Sequence, residues 1–384
     1  MSAARIMVVS HTGQISGAEM VLLDVVQLWP TASAFLFEDG PLRQALADKQ
    51  LDVTVARWGG GLAKVRRNSS ILRIASVVGR LFAVALELGR AARHHDLLYA
   101  NSQKAFVLSA IVTTFVRRPL VWHLHDIISA AHFGAVQRRV QIGLANRRAA
   151  KVIVPSLAAA DAFIAEGGRA DLVEVVANGL DVTPERTPPA ELRRQLGLPD
   201  GTLVGVFSRL APWKGQHVVL QALAKVPGVN CIIAGDALFG EQAYADKLAC
   251  MVRDLGLAGR VHFLGQRNDV ARLMRAADIM VHPSIDPEPF GRTLVEAMLS
   301  GVPVIATDAG AASDILESGR AGTLVPPGDA DALAGAITRI SSGPDRLAGQ
   351  LEYASNRART LYSRARMLDG ISRQVGHARE GAPA

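Results

Sequence analysis

Short apolar runs alternate along the whole chain with longer stretches in which apolar positions recur every three or four residues. That alternation is how βαβ units read, because parallel strands buried on both faces appear as near-continuous apolar segments. In the first half the strand candidates are Arg5–Ser10, Ala32–Phe37, Asp52–Arg57, Asp96–Ala100, Pro119–His125, Lys151–Pro155 and Leu172–Ala177. In the second half they are Leu203–Ser208, Val229–Ala234, Arg260–Leu264, Ile279–Pro283, Pro303–Thr307 and Gly322–Val325. With helical stretches between them, the expected fold class is α/β, with two consecutive doubly wound domains. Gly179, Pro184, Pro188, Pro189 and Pro199 break both periodicities between Asn178 and Asp200, so the join is expected there and the domains at 1–180 and 181–361. No fixed-period repeat is present, which removes solenoids and propellers.

Length supports two domains, since 384 residues exceed what one core usually organises. A composition of 49% hydrophobic and 20% charged residues excludes extended disorder, leaving only Glu380–Ala384 as a loose end. Cys231 and Cys250 lack a CxxC or metal-ligand neighbour and are expected to be buried thiols. Arg5–Ser10 runs directly into the first strand without the regions of a signal peptide, so the chain is expected in the cytoplasm, where the Asn68-Ser69-Ser70 sequon carries no meaning.

The net charge of +7 lies wholly in residues 1–180, which hold 20 Lys/Arg against 13 Asp/Glu. Ten of those basic residues fall between Lys64 and Arg118, with only Glu87 and Asp96 opposing them. Such a patch suits nucleic acid, an anionic bilayer surface or a phosphorylated acceptor. Aromatics at 5% and the lack of a nucleic-acid motif argue against the first. Ile71–Arg90 is strongly apolar, but Arg73, Arg80 and Glu87 interrupt it at sevenfold spacing. It reads as a helix packed on a sheet, or as an interfacial membrane helix using Arg66, Arg67, Arg73 and Arg80, rather than as a span.

Candidate chemistry concentrates in two places. The segment DPEPFGRTLVEAM, from Asp286, sets Glu288 and Glu296 eight positions apart. Glu288 precedes a Pro-Phe-Gly turn and Glu296 falls in the first turns of a helix opening near Gly291–Thr293, so both carboxylates are expected to face one pocket. The amides at that helix start can hold a phosphate, although a capped helix with favourable dipole charges needs no ligand. SRLAPWKG, Ser208–Gly215, brings Arg209 and Lys214 out of the carboxyl end of a strand, where open α/β sheets bind ligands and two cations suit a diphosphate. Asp329-Ala330-Asp331 matches a metal-binding DxD but opens a late helix, so capping explains it.

Together with ANGLD (Ala177–Asp181), AGD (Ala234–Asp236) and VHFLG (Val261–Gly265), these motifs make nearly the whole chain resemble the retaining GT-B glycosyltransferases of family four, relatives of sucrose synthase and bacterial lipid mannosyltransferases. The resemblance implies two Rossmann-like domains facing an interdomain cleft, with the helical stretch Asp345–Gln374 crossing back and a final helix near 362–384 packing on the first domain. It gives Arg209 and Lys214 the donor diphosphate, Glu296 the ribose hydroxyls and Glu288 the transferred sugar, with main-chain groups of Phe290, Gly291, Arg292, Thr293 and Leu294 completing the cradle and His262–Gln266 bracketing the base. In HTGQISGAE, which places Gly13, Gly17 and Ala18 in a loop ahead of a helix, only Gly17 and Glu19 carry over from the family's Gly-Gly-x-Glu. His125, closing WHLHD, matches the histidine that approaches the donor sugar, with His123 the less favoured candidate. Asn101 and Glu19 are placed on the acceptor side, and Ser156 and Asn178 in turn and interdomain geometry.

The implied reaction is metal-independent, cofactor-free hexose transfer with retention, from a UDP- or GDP-sugar to a glycan or lipid-linked acceptor in bacterial polysaccharide assembly. A front-face route is implied, since no first-domain carboxylate stands out as a nucleophile. Epimerase and phosphorylase chemistry on the same scaffold, and a basic non-enzymatic binding protein, remain open at this stage.

Overall fold

The computed structural model describes residues 4–59, 71–182, 185–238, 240–343 and 347–381, with backbone alone for 71–78. Lys64, Arg66, Arg67, the Asn68 sequon, Pro184 and Asp345 therefore lie outside the described residues, as does the side chain of Arg73.

The chain divides into two units. One runs to Gly179 and takes in the chain again from Arg364; the other is Leu180–Ser363. In the first, β1 (Ile6–Ser10), β2 (Ser33–Leu36), β3 (Asp52–Val55), β4 (Leu97–Ala100), β5 (Leu120–His123), β6 (Ala149–Val154) and β7 (Val173–Val175) form one parallel sheet in the order β3-β2-β1-β4-β5-β6-β7. In the second, β8 (Thr202–Phe207), β9 (Val229–Ala234), β10 (Val261–Gly265), β11 (Ile279–His282), β12 (Val304–Thr307) and β13 (Thr323–Val325) follow the order β10-β9-β8-β11-β12-β13, again parallel. Each sheet reverses its winding once, between β1 and β4 and between β8 and β11. Ligands of open α/β sheets bind beyond the carboxyl ends of strands at such a reversal.

All thirteen expected strands form, mostly shortened at their ends where polar or proline residues leave the ladder. β1 and β4 are buried at every position, as strands covered on both faces must be. One face of the first sheet packs a core in which Phe106 stacks on Trp122 at 4.0 Å. The other face buries Ile6, Val8 and Tyr99 against Met367, Ile371 and Val375 of the helix Arg364–Glu380. Each such aliphatic side chain contributes roughly 1.5–3 kcal/mol by burial.

The helical stretch Asp345–Gln374 holds two helices: Ala348–Leu361 ends at Tyr362, whose carbonyl accepts the amide of Leu180 at 2.8 Å, and a second begins at Arg364, where the final helix near 362–384 is expected. Two expectations are corrected. That second helix includes Glu380, because its apolar face keeps contact with the core as far as Ala378. Cys250 is exposed while Cys231 is buried, since the helix Gln242–Asp254 turns Tyr244, Leu248 and Val252 inward and leaves position 250 outside. Asp329 does cap a helix, its carboxylate accepting the amide of Ala332 at 2.8 Å.

Candidate functional site

In the second unit the residues of interest leave β8 and β11, the two strands at the winding reversal. The loop after β8 folds into one 3-10 turn, Pro212–Lys214, with Gly215 at φ +72°. A Cβ at Gly215 would lie 1.9 Å from the carbonyl oxygen of Pro283, so glycine alone lets this loop press on the one after β11. The amide of Ile285 donates to the carbonyl of Trp213 at 2.8 Å, tying the loops together. Arg209 and Lys214 both lie over the Trp213 ring, at 5.3 and 4.3 Å from its centroid, which holds the two cations side by side.

Glu288 is the hub. Its Oε1 accepts from Lys214 Nζ at 2.6 Å, from His282 Nε2 at 3.0 Å and from the hydroxyl of Ser284. His282 in turn contacts the Thr293 hydroxyl through Nδ1 at 3.2 Å. Burial works to raise the Glu288 pKa, but His282 and Lys214 outweigh it and hold the carboxyl far below its usual range. Gly310, at φ +61°, closes on this loop from behind, and the amide of Ala311 donates to the Glu288 carbonyl at 3.0 Å.

Gly291 stands at φ +78° as the N-cap of the helix Arg292–Ser300, where no side chain caps the amides of the first turn. Phe290 is buried with its ring against Tyr362, and Leu294 is fully enclosed, so both shape the loop through packing. Glu296 bonds to Arg292 Nε at 3.0 Å; burial raises its pKa, with Arg292 opposing. Glu288 and Glu296 thus engage separate partners rather than each other.

In the first unit the polar cluster also sits at the reversal. His11, just past β1, bonds to Ser102 Oγ at 2.8 Å, just past β4. Asn101 Oδ1 pairs with His125 Nε2 at 2.9 Å, and the rings of His123 and His125 lie 3.9 Å apart. His123 is fully buried on the Tyr99 hydroxyl at 2.6 Å, which fits structural support of His125. The two acceptor-side candidates are enclosed: Asn101 is engaged with His125, and Glu19 reaches back to the Ser16 amide at 3.2 Å. Gly17 opens the helix Gly17–Val25 instead of lying in a loop, and a Cβ there would meet nothing within 4 Å.

Sequence reasoning passed over His282, Ser284, His11 and Asp126. Gln141 Nε2 donates to Gln103 Oε1 at 2.7 Å, and Gln103 Nε2 to Asp126 at 3.0 Å, so two buried amides fix that carboxylate beside His125. A histidine inside an apolar strand and followed by Pro-Ser, as in VHPS, was the available signal for His282.

The Glycosyl transferases group 1 family matches residues 190–359, and the Glycosyl transferase 4-like domain matches residues 17–179. The HepE protein of Anabaena, solved in complex with UDP-glucose, is 39% identical, with 97% of this chain and 99% of that chain covered at a TM-score of 0.87. The chain belongs to the group 1 glycosyl transferases. Among other relatives of this group 1 chain, D-inositol 3-phosphate glycosyltransferase of Mycobacterium marinum is 38% identical over 169 residues, 43% of this chain and only 36% of that protein. Sucrose-phosphate synthase of Thermosynechococcus elongatus, at 22% identity and a TM-score of 0.79 over 98% of this chain, shares the GT-B fold.

The histidine cluster should make the stability of this group 1 transferase pH-dependent. Burial pushes His125 down to about 3, and burial, with Lys104 adding, pushes His11 down to about 4. Histidine in the unfolded chain titrates near 6.5, so below that the unfolded state binds protons the native state refuses. Stability should be complete above about pH 6.5 and fall as pH drops toward 4, by up to ~1.4 kcal/mol per pH unit for each histidine. Urea midpoints measured across that window should drop less steeply in His125→Asn; an unchanged slope would place the lost protons elsewhere.

Proposed function

We propose that this protein transfers a hexose from a UDP-sugar, with retention and without a metal ion, to a glycan or lipid-linked acceptor. The observation that carries the reading is the 2.6 Å contact between Lys214 and Glu288, which joins the ends of β8 and β11 at the reversal of the second sheet. A departing nucleoside diphosphate needs positive charge, and Arg209, Lys214 and the N-terminus of the helix Arg292–Ser300 supply it there. Lys214 has three protons, so it can hold Glu288 and a phosphate oxygen together.

Glu288, ionised throughout the physiological range, is assigned to the transferred sugar, where it stabilises developing positive charge at the anomeric carbon. Glu296 is assigned to the ribose hydroxyls. His125 takes the family role at the donor sugar, with Asn101 fixing its ring. Uridine is favoured over guanosine because HepE, similar over nearly the whole length, was solved with UDP and with UDP-glucose.

Thermal-shift titration in EDTA with UDP, GDP, ADP and their glucose conjugates tests the donor assignment. UDP and UDP-glucose should stabilise the wild type by about 2.7 kcal/mol at a hundredfold excess over Kd, and Glu296→Ala should lose most of that shift. A response to GDP alone would replace the base, and no response from folded protein would overturn the reading. Retention is checked by the anomeric coupling of the product, which must match the donor.

A further inference from the structure

Among the helices that cover one face of the first sheet are Ile71–Ala92, Gln103–Val116 and Ala135–Arg148, the second packing against both others. Their inner sides are satisfied, burying Leu88, Phe106 and Ile142 in the core. Their outer sides are not those of ordinary solvated helices, which turn polar residues to water. Each carries an apolar pair four residues apart on its exposed side: Phe82 and Leu86 at 65% and 44% exposure, Ile111 and Phe115 at 45% and 82%, and Val136 and Val140 at 75% and 47%.

The charge on these helices has one sign. Their sequences hold eight basic residues and a single acid, Glu87, whose carboxylate accepts the amide of Arg57 at 3.0 Å. Arg90, Lys104, Arg139 and Arg147 are exposed among the apolar pairs. Among the described residues no helix is long and apolar enough to cross a membrane.

We propose that the outer surface of these three helices docks on an anionic lipid bilayer. Exposed aromatic and aliphatic side chains interspersed with exposed cations match the acyl boundary and the headgroup phosphates of a bilayer surface, the pattern of an element lying in the interface. A water-facing role explains the arginines and leaves the phenylalanines without a partner. Docking requires no nucleotide, so it stands apart from the donor assignment and fails independently of it.

The test is co-sedimentation of the full chain with phosphatidylcholine vesicles and with vesicles that also contain phosphatidylglycerol. Strong recovery on the anionic vesicles, weakened by added salt, is expected. Phe82→Ser with Phe115→Ser should cut partitioning at least about tenfold. Arg139→Gln and Arg147→Gln should each cut it about fivefold. Every variant should keep the wild-type melting temperature and its UDP-induced shift. Equal recovery on neutral and anionic vesicles would overturn the proposal, as would variants that bind like the wild type. A concentration-dependent dimer abolished by Phe115→Ser would also overturn it, by giving the face to a second copy of the chain.

Discussion

Lys214→Ala should lower the transfer rate by roughly 10²–10³-fold, the scale seen when one preorganised charge-stabilising donor is removed. Lys214 has two duties in the structure, a cation beside Arg209 over Trp213 and a partner of the Glu288 carboxylate. Both side chains of the pair are nearly enclosed, at 13% and 11% exposure, so removing one leaves a buried charge held by His282 and Ser284 alone. Breaking such a pair costs about 3–5 kcal/mol of stability. The two losses separate in a double-mutant cycle. Lys214→Met combined with Glu288→Gln should regain most of the stability, because no charge is stranded, and none of the activity. Recovery of turnover in the double variant would remove Lys214 from the chemistry.

Gly310→Ala, adding a single methyl group, is expected to be nearly as damaging. Gly310 sits at φ +61°, and a Cβ there would fall 2.3 Å from the carbonyl oxygen of Glu288 and 2.4 Å from its nitrogen. Those are backbone atoms with no rotamer to escape into, so the loop carrying Glu288 must move. We expect a loss of at least ~2 kcal/mol in urea unfolding, joining left-handed strain to the clash. Activity should fall about 100-fold, since a shift near 1 Å at a reacting group has that effect. Gly301→Ala is the control: its φ of +67° carries the same strain, but a Cβ meets nothing within 4 Å. It should lose stability alone, and similar activity in the two variants would refute the link between Gly310 and Glu288.

The thirteen strands were readable because strands buried on both sides must be apolar throughout, a local property that composition alone displays. The segments carrying Arg209, Lys214, Glu288 and Glu296 were readable because each is continuous and lies beside a strand end. What stayed hidden is contact between distant segments. Nothing around Lys214 announces that its partner is Glu288, 74 residues on. Glu19 resembles a family position, but the same Ser-x-x-Glu spacing is also a capping box, and the buried carboxylate is engaged by Ser16. The start of a final helix near 362 came only from the family resemblance, because the chain stays helix-favouring on both sides, and the bond from the Leu180 amide to the Tyr362 carbonyl shows what ties the chain down there.

The helix Arg364–Glu380 sets the order in which the two halves can be finished as the chain is made. Met367, Ile371 and Val375 fill one side of the first sheet, yet they are translated after everything else in that core. The nascent first half therefore leaves the ribosome with Ile6, Val8 and Tyr99 short of their cover. Leu180–Ser363 is continuous and has all of its own strands before that helix exists. The part made first is completed last, and until then its open apolar side is where a chaperone would bind or where neighbouring nascent chains would aggregate.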